Sequence, residues 1–120
     1  MNEDKKLTVL AAKAIGMEHP GGDHSIHDDG RLWDCQSLCW WNPLHDDGDA
    51  LSLAVKLRID FTWQPAMESV IAYPTMHDTL EITEEYMEYS DNGIPVDTYR
   101  YSALRRAIVR TAAEIGKAMP

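Results

Sequence analysis

Asp46-Asp47-Gly48-Asp49-Ala50-Leu51-Ser52-Leu53-Ala54-Val55-Lys56-Leu57-Arg58-Ile59-Asp60-Phe61-Thr62-Trp63-Gln64 changes its hydrophobic period in the middle. The first part reads as a helix running to about Lys56–Arg58. Asp46 or Asp47 is a good N-cap, and the carboxylates before Ala50 suit the positive end of the helix dipole. Only a narrow polar strip of Asp49, Ser52 and Lys56 interrupts its apolar surface, so cover on more than one side is expected. From Ile59 the pattern alternates, apolar at 59, 61 and 63, as in a half-buried strand. A helix running into a strand sets the fold class.

The residues on either side extend this reading. Gln64-Pro65 turns, Met67 to Tyr73 is a second strand closed by Pro74, and Thr79 to Thr83 starts a third that could reach Tyr86 or Tyr89. Short connections suit antiparallel neighbours. Ser90-Asp91-Asn92-Gly93 is a turn signal, after which the path to Tyr99 is open. The last helix spans about Tyr101 to Met119, with Tyr101, Leu104, Ile108, Ala112, Ile115 and Met119 on one stripe. Towards the N-terminus, Arg31–Cys35 and Leu38–Trp41 read as a hairpin or two short strands, stopped by Asn42-Pro43. His19 to His24 is a Pro/Gly loop. Residues 3–15 form a first helix, capped by Asn2 and stopped at Gly16. The expected fold is α+β: a three-stranded or slightly larger, mainly antiparallel sheet sandwiched by about three helices, in a single domain over 1–120.

Among its 120 residues the chain has 11 Lys+Arg and 20 Asp+Glu, a net charge of −9. Residues 98–120 are basic: Arg100, Arg105, Arg106, Arg110 and Lys117 stand against Glu114 alone. The stretch from Asp78 to Asp97 has seven carboxylates and no base. Self-pairing of the two is the plainer reading. The alternative is an acidic surface, with Glu81, Glu84, Glu85 and Glu88 at its centre, that meets a basic partner. An acidic chain is a poor fit to phosphate backbones, so nucleic acid is disfavoured, although helix–three strands–helix is also the element order of double-stranded RNA-binding modules. No apolar run is long enough to span a membrane and no secretory signal is visible, which points to the cytoplasm.

Chemical motifs are sparse. There is no Gly-x-Ser-x-Gly elbow, Gly-x-Gly-x-x-Gly or Walker pattern, and the expectation is a protein that is not an enzyme and needs no cofactor. Asp46 to Asp49 resembles a cation loop, but its twelfth position is Leu57 rather than a bidentate Glu, and capping accounts for its carboxylates. His19, His24 and His27, with Asp23, Asp28, Asp29, Cys35 and Cys39, lack the usual zinc order, so no metal is assigned. The two cysteines are expected to be reduced, buried thiols beside Trp40 and Trp41. The aromatic residues offer more. Neighbouring Trp40 and Trp41 in a strand point to opposite faces, so one is exposed, near Asn42 and Asp46, at the edge of a recognition surface. Trp33, Trp41 and Tyr73 are candidates to line a small-ligand pocket.

The run Trp41-Asn42-Pro43-Leu44-His45-Asp46-Asp47-Gly48-Asp49-Ala50-Leu51, continuing through Leu53-Ala54-Val55-Lys56-Leu57, resembles the phage ABA-sandwich domain family of small phage and prophage proteins. Arg105 to Arg110 with Ala112 to Pro120, and Leu10 to Gly16, are similar to that family's last and first helices. The resemblance implies a compact α/β sandwich encoded in phage or prophage genomes, and brings no catalytic or binding residues. The stretch 78–100 is longer and more acidic than the family's pattern. The functional expectation is a phage accessory protein binding without catalysis, with a host or defence factor as partner. A small-ligand binder is the alternative, and a homo-oligomer stays open.

Overall fold

A computed structural model describes residues 2–17, 25–77 and 79–120. The His19–His24 loop therefore lies outside the described residues, as does Asp78. Three α-helices, a two-stranded antiparallel hairpin and a three-stranded antiparallel sheet make the expected α+β fold.

Helix α1 (Glu3–Ala14) begins and ends as its residues dictate. The Asn2 side chain accepts from the Lys5 amide at 2.8 Å. At the other end Gly16 takes φ +67°, and the amides of Gly16 and Met17 donate to the carbonyls of Lys13 and Ala12. This is a Schellman closure, which needs a left-handed residue where glycine sits. Strands β1 (Leu32–Asp34) and β2 (Cys39–Trp41) pair with Leu32 opposite Trp41 and Trp33 opposite Trp40.

Helix α2 (Asp47–Leu57) is capped by Asp46, whose carboxylate accepts from the Asp49 amide at 2.8 Å. Arg58 closes it in the left-handed conformation, so the chain enters β3 (Ile59–Gln64) without a loop. The expectation that α2 is covered on more than one side is corrected. It buries only Ala50, Leu53 and Ala54, while Leu51 is 63% and Val55 70% exposed.

After β3 the chain makes a 3-10 turn at Pro65–Met67, so β4 starts later than expected, at Ser69, and runs to Pro74. β5 (Ile82–Glu85) then pairs with β4, giving the order β3-β4-β5. The turn at Ser90–Gly93 forms as expected, with the Gly93 amide donating to Ser90. Helix α3 (Asp97–Ala118) starts one turn before the expected Tyr101, and Tyr101 itself is exposed.

Directly opposed residues share a sheet face, so Phe61, Trp63, Val70, Ala72, Ile82 and Glu84 point the same way. That is the α3 face, since Arg110 of α3 reaches Glu84. Helix α3 packs on α1, α2 and the sheet, touching β4 and β5 far more than β3. Val70 and Ala72 are consequently sealed, whereas Phe61 and Trp63 on the same face are each 37% exposed. No described helix is long and apolar enough to cross a membrane.

Candidate functional site

The arginines of α3 are already held. Arg105 bonds to Asp47 at 2.7 Å and to the Leu44 carbonyl; Arg106 reaches Asp4 at 3.1 Å; Arg110 reaches Glu84 at 2.6 Å. Arg100 bonds to Glu88 at 2.8 Å and to Asp97. The basic tail and the acidic remainder thus pair with each other, the plainer of the two sequence readings. As a result Glu81, Glu84, Glu85 and Glu88 do not present one acidic surface. Glu84 turns in towards Arg106 and Arg110, Glu88 is tied to Arg100, and Glu81 and Glu85 face solvent. The alternation along β5 is responsible: Ile82 and Glu84 face α3, Thr83 and Glu85 face away.

The tryptophan hairpin splits as its pleat requires. Trp41 is buried and Trp40 is exposed, edge-on to Trp33 at 5.3 Å and tilted against His27 at 4.7 Å, with the Arg31 guanidinium 5.5 Å from its ring centroid. The Asn42 amide donates to Asp49 and the Asn42 side chain meets His45, so Asn42 and Asp46 serve the start of α2. Burial raises the Asp49 carboxyl above the usual carboxylate range. Cys35 and Cys39 are exposed, not buried as expected, because the turn between β1 and β2 lies at the surface and Cys39 faces Ser37 at 3.0 Å.

The expected pocket of Trp33, Trp41 and Tyr73 does not assemble. Trp41 points into the core, and Tyr73 lies on the sheet face turned from α3, with its hydroxyl 3.5 Å from Asp60. It lines a separate depression with His77 and Leu80. His19, Asp23 and His24 lie outside the described residues; among those described, no three His, Cys, Asp or Glu side chains converge in a way that could hold a metal ion.

A different cavity does form. A groove of about 560 Å³ opens between the end of β3 and the first turns of α3, lined by Trp63, Pro65, Tyr86, Tyr101 and Leu104 with Glu88, Asp97 and Arg100. Trp63 stands edge-to-face between Phe61, at 6.1 Å, and Tyr86, at 5.8 Å. Arg100 spans its polar side, bridging Glu88 and Asp97. Burial, then the Glu88 carboxylate, pushes the Tyr86 phenol above its ordinary value. With two carboxylates against one guanidinium, the groove is net negative. Its geometry suits an apolar group with a cation beside it, held by aromatic faces and carboxylates.

In the sequence Trp63 reads as a strand residue, Tyr86 as one the third strand could reach, and 94–99 has no clear path; the third strand in fact starts at Ile82 rather than Thr79 and ends at Glu85. The signal was there in part: Asp97 and Arg100 are three apart, the spacing at which a helix brings side chains together. Comparison with protein-family models, curated proteins and solved structures finds no match to this chain.

Proposed function

We propose that this protein acts by stoichiometric, non-catalytic binding, and that the groove between β3 and α3 receives a partner segment carrying an apolar side chain next to a Lys or Arg. The observation that carries this reading is the aromatic wall of Trp63, Tyr86 and Tyr101 facing the Glu88–Arg100–Asp97 bridge. Large aromatics supply contact area at low entropic cost, and a net negative rim favours a cationic neighbour. The resemblance to the phage sandwich domain suggests a host or defence factor as the first class of partner to try, in the cytoplasm of a bacterial host. Nucleic acid ranks lower, because Arg100, Arg105, Arg106 and Arg110 each already engage a carboxylate.

Selection of a random peptide library on the purified chain tests the proposal. Enriched peptides should pair an aromatic or aliphatic residue with Lys or Arg, and their binding should be lost in Tyr101→Ala but kept in Tyr99→Ala. Binding indifferent to Tyr101→Ala, or no enrichment, overturns it.

A small organic ligand is the second reading, favoured by a volume within the range of roughly 300–1,000 Å³ common to such sites. A thermal-shift screen of nucleotides and metabolites decides this one: a bound ligand raises the melting temperature by mass action. A screen without a shift removes it.

A further inference from the structure

The sheet has two edges, and they are not equally protected. β5 is four residues long and carries Glu84 and Glu85. β3 is six residues long, has no proline, and has Asp60 as its single charge. Natural edge strands are usually blunted by charge, proline or brevity, since unpaired backbone groups invite another strand.

The free side of β3 can be assigned. The Thr75 amide donates to the Arg58 carbonyl, so even-numbered residues here turn their backbone groups to β4. Odd-numbered Ile59, Phe61 and Trp63 turn theirs outward. Accordingly the Phe61 amide is taken by the Asp60 carboxylate at 2.8 Å rather than by a neighbouring strand. Next to this edge lies exposed apolar surface: Leu51 and Val55 of α2 line one depression with Ile59 and Phe61.

We propose that the β3 edge is a self-association surface, on which a second copy of this chain pairs β3 antiparallel to β3 about Thr62. In that register Phe61 faces the second copy's Trp63 and exchanges backbone hydrogen bonds with it, twice by symmetry. Asp60 faces the second copy's Gln64. The Phe61 backbone amide then donates across the interface, and the Asp60 carboxylate it releases accepts from the side-chain amide of the second copy's Gln64. Aromatic cross-strand pairs are among the favourable ones, and no like charges stand opposite.

Charge also favours a second copy at this place. Residues 50–67 hold Lys56 and Arg58 against Asp60 alone, in a chain of net −9. Two copies meeting across β3 therefore bring no carboxylate of this segment but Asp60 to the interface, and in this register it faces Gln64. A two-fold interface must be complementary to itself, and this strand is.

Thr62 is exposed and lines no wall of the groove, so the test is separate from the reading above. Sedimentation equilibrium of the full chain should show a monomer–dimer equilibrium. Thr62→Lys and Thr62→Glu each place like charges at the two-fold axis, and should each weaken the dimer about fivefold. An equimolar mixture of the two should restore it, because Lys then faces Glu. Circular dichroism of each variant should match that of the unmodified chain. A chain that stays monomeric at all concentrations overturns the proposal. So does a dimer indifferent to Thr62→Lys, or a mixture no tighter than either variant alone.

Discussion

The seam between α1 and α3 and the rim formed by β3 and α2 both carry apolar side chains, and the rim's helix is the more apolar, yet the seam is closed and the rim open. At the seam the contacts are backbone-close. Ala11, Ala12, Ala112 and Ala113 are buried, and a Cβ on Gly116 would overlap the Leu10 carbonyl oxygen. At the rim the residues are larger, with Leu51, Val55, Phe61 and Trp63 all partly in water. Small residues let two helices approach until nothing else fits. Large residues at the margin of a layer outrun the element meant to cover them. Side-chain size therefore predicts burial poorly here, and position relative to α3 predicts it well.

The sharpest test is at the seam. Gly116→Ala would gain helix propensity in isolation but must push α1 and α3 apart, and should destabilise the fold by about 3 kcal/mol in urea denaturation. A neutral or stabilising result would mean the helices are not in close contact.

Glu84 comes next, where the seam's arginines meet the sheet. Glu84→Ala leaves Arg110 and Arg106 without the carboxylate they share, and the expected loss is about 1.5 kcal/mol, read from the shift in denaturation midpoint. High salt should recover little, since the carboxylate is mostly shielded from water.

At the α2–β3 junction the effect reverses sign. Arg58 sits at φ +54°, a conformation that is costly for a side chain and free for glycine. Arg58→Gly should stabilise by about 0.5 kcal/mol, the relief of strain exceeding the entropy that glycine adds to the unfolded chain. A lower melting temperature would show that Arg58 contributes something its backbone conformation does not reveal.

The smallest effect is expected at the rim itself. Leu51→Gln with Val55→Gln should change the stability of the monomer by less than about 0.5 kcal/mol, as exposed substitutions do. A cost of several times that, measured at a concentration where the chain is dimeric, would show that the rim is covered in the working form.

Local chemistry made much of the fold legible. Asn2, Gly16 and Asp46 mark helix ends because capping is satisfied within a few residues, and the alternation from Ile59 marks a strand because neighbouring side chains point to opposite faces. The split of Trp40 from Trp41 follows from the same rule. The candidate site was less legible. Trp63 was readable as a strand residue, whereas Tyr86, which the third strand could have reached, lies just past the end of β5; nothing local showed that the two would share a groove with Arg100, which comes from a helical turn that starts at Asp97 rather than Tyr101.

By itself, then, the sequence determined the periods, the caps, the order of the elements and the separation of basic tail from acidic body. The tertiary structure decided which apolar faces are closed, which carboxylates the arginines neutralise, and where a groove opens. The physical reason is range. Hydrogen-bond caps and side-chain periodicity are settled between residues a few positions apart, whereas exposure at a sheet edge depends on where α3 comes to rest, more than thirty residues along the chain from β3.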